Sequence, residues 1–253
     1  MFVLPQKTPL IMGILNATPD SFSNGGRPAT SEDALAMVRA GADILDIGGE
    51  STRPGAADIP VQEELDRVLP LIEAIRKRSD IPISVDTRKS EVARQAIPLG
   101  VQIINDVSCL GYDSRMVDVL AESDVSYILM HTRGTPQTME SFAIYLSNDV
   151  TGEVRTELEW ARGRLIEAGI GPERILIDPG FGFAKRPEHS IELLNNLDRL
   201  TDLGPVVVGI SRKRFTGGNE ETSLDYARTA VLKGAKIVRT HNVSLARTFF
   251  HTL

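Results

Sequence analysis

Residues 10–26 read LIMGILNATPDSFSNGG: an apolar run that ends on Asn16 and opens at once into a loop of Pro, Gly and Ser. Six consecutive residues without a polar face predict a strand buried on both sides, not one with a wet face. The same device recurs along the chain, with short apolar runs at 44–47, 83–85, 103–104, 125–130, 175–177, 206–210 and 237–238. Between them the apolar positions switch to helical spacing. Residues 31–40 follow Thr30 with Asp33 three positions on, a capping-box pattern, and stop at Gly41. In 61–78, Leu65, Val68, Leu69, Ile72 and Ile75 fall on one stripe. Segments 154–168, 191–200 and 224–233 continue the series, 90–99 and 116–122 carry shorter versions, and 244–252 would close the chain. Eight strand–helix pairs predict an α/β fold, a (β/α)8 TIM barrel, over an open doubly wound sheet. The first run is not followed by a Gly-x-Gly-x-x-Gly turn, which removes the usual dinucleotide signal. No linker or composition shift divides the chain, so residues 1–253 are read as a single domain.

Composition narrows the function. A hydrophobic fraction of 42% excludes a disordered chain, and 34 acidic against 28 basic residues argue against general nucleic-acid binding. The one cysteine, Cys109, excludes an internal disulfide and suits a reducing compartment. The start, MFVLPQKTPL, has no signal-peptide core, and no window approaches the ~18 apolar residues of a membrane span. A cytoplasmic protein with no membrane and no nucleic-acid partner is the expectation.

The polar residues at or near the ends of the apolar runs are Asn16, Asp46, Asp86, Asn105, His131, Asp178, Ser211 with Lys213, and Arg239 with His241. Any one could simply cap a helix or hold a turn. In a barrel, however, all eight points fall on the rim where barrel active sites are built, and together they would line one pocket. The stretch from His131 to Ile175 also demands a long loop before its helix, and such loops are commonly functional.

Several stretches are more specific. In chain order, MGILNATPDSFSNGG, DIGGESTRPGA, SVDTRKSEVARQAI, IINDV, LMHTRGTPQTME, LIDPGFGFAK, VVGISRKRFTGG and IVRTHNV resemble the dihydropteroate synthases of the pterin-binding barrel family, over about residues 11–243. The resemblance implies condensation of 6-hydroxymethyl-7,8-dihydropterin diphosphate with p-aminobenzoate, giving dihydropteroate and pyrophosphate. It implies Asp86, Asn105, Asp178, Lys213 and Arg239 as the pterin grip. A carboxylate accepts adjacent N–H donors as it accepts an Arg fork, and a guanidinium stacks on planar rings. It implies Thr52, Arg53, Pro54, Phe183 and Ser211 as the aminobenzoate cradle. Asn16, Arg53 and His241, with Lys213 and Arg239, would stabilise the departing diphosphate, and Mg2+ would bridge its oxygens with Asn16 as the direct protein ligand. Loops 18–27 and 51–57 would fold over the site. His131 is left as a structural residue. The only partners implied are the small-molecule substrates and, around the last helices, a second copy in a homodimer.

Departures from the family pattern are Asn24 and Asn242 for Asp, Thr132 for Met, Ala184 for Gly, and a short segment at 217–223 that weighs against the dimer. Two other functions compete: a methyltetrahydrofolate-dependent corrinoid methyltransferase on the same barrel, and a pterin-binding protein without catalysis. SRKR at 211–214 and STRPGA at 51–56 speak against the methyltransferase, which needs no diphosphate or aminobenzoate contacts.

Overall fold

The apolar runs become eight parallel strands: β1 Leu10–Asn16, β2 Ile44–Gly48, β3 Ile83–Asp86, β4 Ile103–Asp106, β5 Ser126–Met130, β6 Ile175–Asp178, β7 Val206–Gly209 and β8 Ala235–Thr240. Each pairs with the next, and β8 returns to β1 to close the barrel. The helices between them are α1 Ser31–Arg39, α2 Val61–Arg76, α3 Ser90–Ala96, α4 Met116–Ala121, α5 Val150–Glu167, α6 Pro187–Asn195, α7 Glu220–Leu232 and α8 Val243–Phe250. This computed structural model describes residues 2–5, 9–19, 27–53, 55–146 and 149–251. No described helix is long and apolar enough to cross a membrane.

Strand alternation sorts the side chains into two cores. Outward residues such as Leu45, Val85, Ile104, Leu129 and Ile177 pack against the helices in one large cluster. Inward residues Leu10, Met12, Ile44, Ile103, Ile128, Leu176, Val207 and Ile237 form a separate plug inside the barrel, covered from below by Phe2 and Leu4. Because a strand repeats every two residues, the inward layer above the plug is reached by adding two. Ile44 gives Asp46, Ile103 gives Asn105, Leu176 gives Asp178 and Ile237 gives Arg239. The apolar plug thus supports a polar floor.

Helix boundaries follow caps more than periodicity. Thr30 Oγ1 accepts from Asp33 N at 3.3 Å while Asp33 accepts from Thr30 N at 2.8 Å, so the predicted capping box forms. On α2, Leu71 is buried and the predicted Leu69 only half so. α5 starts at Val150, earlier than the predicted 154, because Asp149 accepts from Gly152 N at 2.9 Å. The predicted 191–200 helix divides: Pro187 sets the start of α6, and after Asn196 residues 197–200 tighten into a 3-10 turn. Pro98 likewise falls in a 3-10 turn at 97–99, after α3. α7 begins at Glu220 rather than 224, with Asn219 as its cap, and Asn242 caps α8 by accepting from Leu245 N at 3.1 Å. Asn is nearly as good an N-cap as Asp, so this departure costs little. The end of the predicted last helix at 252, and Asn24, lie outside the described residues.

Ala184 has a φ of 47°, a left-handed conformation that suits glycine and strains a residue with a Cβ. It is buried, and its carbonyl accepts from Tyr145 Oη at 3.2 Å, so the strain is held in place. Ala184→Gly should therefore stabilise the fold by roughly 1 kcal/mol, raising Tm by about 2–4 °C. Thermal unfolding of the two proteins checks this, and an unchanged or lower Tm would contradict it.

Candidate active site

The polar floor is organised around Arg239. Its Nε donates to Asp46 Oδ2 at 2.6 Å and its Nη2 to Asp86 Oδ2 at 2.8 Å. Asn105 Nδ2 donates to the same Asp46 oxygen at 3.1 Å. The second oxygens, Asp46 Oδ1, Asp86 Oδ1 and Asn105 Oδ1, are buried and have no donor among the described residues. A buried acceptor left without a donor is costly, and of these three Asn105 Oδ1 belongs to a residue that lines the cleft above, where a ligand donor could reach. Burial pushes the Asp86 carboxyl well above the usual carboxylate range, with Arg239 opposing and Asp46 adding to the rise.

Above this floor opens a cleft lined by Thr52, Asn105, Asp178, Phe183, Lys213 and Arg239 among others. Asp178 ends β6 and accepts from Gly180 N at 2.7 Å; burial raises its pKa. Gly180 has a φ of +69°, and a Cβ there would meet the His131 carbonyl oxygen at 1.9 Å, so only glycine lets the loop turn this tightly against β5. Lys213 Nζ lies 4.2 Å from the centre of the Phe183 ring. Burial, together with Arg239, pushes the Lys213 ammonium down to about 8. One part of the cleft thus presents acceptors and another presents donors. That arrangement suits a flat ring carrying donors on one edge and acceptors on another.

The remaining predicted residues divide. Thr52 is half-buried and faces the cleft, whereas Arg53 is exposed on the rim, close enough to depress the pKa values of Lys213 and His241. Asn16 is half-buried at the end of β1, in register with Gly48. His241 Nδ1 and Ser211 Oγ are 3.0 Å apart, and burial with the neighbouring arginines pushes the imidazole down to about 3, leaving it neutral. Ser211 is outside the cleft lining, and its hydroxyl is engaged with His241 and, at 3.4 Å, Glu220. Pro54 and residues 20–26 of the 18–27 loop lie outside the described residues.

The expectation that every strand end faces one pocket needs correction at β5. There the inward residue is Met130, which lines the cleft, and His131 turns outward toward α5. His131 Nδ1 lies 2.8 Å from Lys185 Nζ and Nε2 lies 3.0 Å from Glu157. The ammonium donates to Nδ1, which leaves Nε2–H to donate to the carboxylate. Burial pushes this histidine down to about 4, so it serves as a neutral bridge.

The sequence reading gave no role to a second buried network. Glu50, just past β2, accepts from Arg88 at 2.7 Å and meets Lys89 at 3.1 Å; Lys89 also reaches Glu64 at 2.5 Å. All four side chains are almost fully buried. The signal was the Arg-Lys pair directly after Asp86-Thr87, where a buried strand has barely ended.

A closed (β/α)8 barrel whose mouth carries this polar cleft is that of a small-molecule enzyme. The chain belongs to the pterin-binding enzyme family, whose model matches residues 12–241. It is 44% identical to a dihydropteroate synthase of Synechocystis sp., over 94% of this chain and 86% of that protein. It is equally similar, at 44%, to the Escherichia coli enzyme, over 93% and 87%. Among solved structures, the Yersinia pestis dihydropteroate synthase in a sulfonamide drug complex superposes with a TM-score of 0.90 at 38% identity, covering 96% of this chain and 92% of that one. The Xanthomonas albilineans enzyme in complex with 7,8-dihydropteroate gives 0.84 at 39%, over 96% and 92%.

The site's electrostatics can be tested without any ligand. With lysines labelled at 13Cε and the Lys213→Arg variant used for assignment, the Lys213 resonance should titrate with a midpoint near 8. A midpoint above ~10, the ordinary lysine range, would show that its surroundings are wetter or less positive than described.

Proposed function

We propose that this chain is a transferase that condenses 6-hydroxymethyl-7,8-dihydropterin diphosphate with p-aminobenzoate, giving 7,8-dihydropteroate and pyrophosphate for folate biosynthesis. The observation that carries this reading is the meeting of carboxylate and carboxamide acceptors with the half-buried donors Lys213 and Arg239 at one cleft. Asp86 Oδ1 and Asn105 Oδ1 lack donors, Asp178 faces the cleft beside them, and Lys213 and Arg239 supply N–H groups. A dihydropterin carries an amino group and ring N–H groups on one edge, with a carbonyl oxygen and a ring nitrogen as acceptors. We assign Asp86, Asn105, Asp178, Lys213 and Arg239 to hold it.

In the reaction the bond from the pterin methylene carbon to diphosphate breaks, and the electron pair leaves with pyrophosphate. The aniline nitrogen then bonds to that carbon and sheds one proton. An electron-rich dihydropterin stabilises the positive carbon, so no protein nucleophile is needed. We assign Arg53 and His241, with Lys213 and Arg239, to the charge that builds on the leaving group. His241 is neutral, and its Nε2–H is the donor when Nδ1 accepts from Ser211. Thr52, Arg53, Pro54, Phe183 and Ser211 are assigned to aminobenzoate, with Ser211 acting through the imidazole it orients.

We assign Asn16 to Mg2+. Among the described residues no three His, Cys, Asp or Glu side chains gather as a metal site. A carboxamide at the end of β1 fits a hard cation that keeps most of its ligands as phosphate and water oxygens. Held there, Mg2+ would supply positive charge for the diphosphate. We further propose that residues 1–253 work as one domain in the cytoplasm, in keeping with a single cysteine, and as a homodimer through the last helices, where Leu232 and Leu245 are exposed.

The test is direct. Protein, Mg2+, the pterin diphosphate and p-aminobenzoate should yield dihydropteroate and pyrophosphate in equal amounts, and binding of the pterin without product would overturn the reading. Chelating the metal should abolish turnover while leaving the affinity for unphosphorylated 6-hydroxymethyl-7,8-dihydropterin nearly intact. If calorimetry shows that the bare pterin needs Mg2+ as much as its diphosphate does, Asn16 and the metal have been placed on the wrong half of the site.

A further inference from the structure

The loop from β2 to α2 carries Thr52 and Arg53, and its described residues form no helix or strand. It is held at both feet by one guanidinium. Arg88 Nη2 donates to Glu50 at 2.7 Å on the outgoing side and to Asp58 Oδ1 at 3.1 Å on the returning side. Glu50 closes the base from within by accepting from Ile59 N at 2.9 Å. Arg88 is itself buried, with its guanidinium carbon 4.3 Å from the Tyr112 ring centre, so the anchor cannot swing.

The tip of the loop is tied to a different element. Gly55 N donates to the Pro136 carbonyl at 2.9 Å. Gln137 Nε2 donates to the Ala56 carbonyl and lies 3.4 Å from Asp58 Oδ1. Pro136 and Gln137 belong to the long stretch between β5 and α5, whose turn is closed by Thr138 Oγ1 accepting from Thr135 N at 2.9 Å. An otherwise irregular loop is therefore fixed at three points, and Asp58 belongs to both sets of bonds.

We propose that Asp58 and Gln137 are positioning residues: they hold the loop so that Thr52 faces the cleft and Arg53 stands beside Lys213 and His241. Neither touches the polar floor. Their effect falls on Thr52 and Arg53, assigned above to aminobenzoate and, for Arg53, to the leaving group as well, and to that extent the proposal rests on the proposed function. The ring-binding residues Asp86, Asn105, Asp178 and Arg239 stand on strands that this tether does not reach. Asp58 is about half exposed, at 48%, so removing its carboxylate leaves the buried Arg88–Glu50 pair in place and should not unfold the barrel.

Asp58→Ala, Gln137→Ala and the double variant are compared with the parent by steady-state kinetics and by amide hydrogen exchange. Asp58→Ala should raise the KM for p-aminobenzoate about fivefold, the size of a partly exposed ion pair, and leave the calorimetric affinity for unphosphorylated 6-hydroxymethyl-7,8-dihydropterin unchanged. Exchange at the Gly55 amide should speed up in both single variants and most in the double one. Asp58→Glu, which keeps the charge, should restore part of the affinity. A purely structural role would weaken binding of the bare pterin as well, and that result overturns the proposal. Unchanged exchange at Gly55 or an unchanged aminobenzoate KM overturns it as well. If the parent protein shows no turnover, the proposed function fails and the positioning role falls with it, while the exchange comparison still decides whether the tether exists.

Discussion

Arg239 is strapped between Asp46 and Asp86 at the bottom of the cleft, and the site is arranged around that constraint. Two carboxyl groups buried beneath a half-buried guanidinium carry a large desolvation penalty, so the triad is a poor device for stability alone. What it secures is direction. With Nε and Nη2 both engaged, the guanidinium plane is fixed, and each carboxylate keeps one oxygen without a donor. Asn105 is drawn into the same arrangement through Asp46, which turns its own carbonyl oxygen into an unpartnered acceptor. A ring with the right donors would relieve a cost already built into the unliganded protein.

The floor also sets the charges around it. The positive field of Arg239 contributes to lowering both Lys213, to about 8, and His241, to about 3. The cleft therefore holds one permanently charged guanidinium and an ammonium that loses its proton only about one unit above neutral pH, with an uncharged imidazole nearby. Arg53, exposed at the rim, adds charge where a leaving group would emerge. Such a gradient suits a reaction that separates charge: a neutral ring sits deep and an anion departs near the surface.

The fold was legible because its strands are buried on both faces, so runs such as 10–15 and 206–210 have no competing reading. Helix ends were less legible, since the caps Asp149, Asn219 and Asn242 and the breaks near Asn196 and Pro98 depend on single residues rather than on a period. At the site, Asp86, Asn105, Asp178, Lys213 and Arg239 were all singled out, and the structure brings them together. Asp46 reads in the sequence only as a strand-end polar residue, because its meaning lies in contacts with Arg239 and Asn105, far away in the chain. His131 was grouped with a pocket it does not face, since a one-residue step past a strand end reverses the side chain. Arg88 and Lys89 look like surface cations until the buried Glu50 and Glu64 opposite them are seen.

The central claim is that Arg239 must be held by Asp46 for the floor to recognise its ligand, although Asp46 lines no part of the cleft. The measurement that tests it most directly is the affinity of the Asp46→Asn variant for 6-hydroxymethyl-7,8-dihydropterin, by calorimetry, with circular dichroism to confirm that the barrel remains folded. An amide in place of the carboxylate removes the charge that orients Arg239, and affinity should fall by at least about tenfold, given a cost of roughly 2–5 kcal/mol for breaking one partner of a buried charge pair. A folded variant that binds the pterin as tightly as the parent would show that Arg239 needs no such support, and would contradict the account.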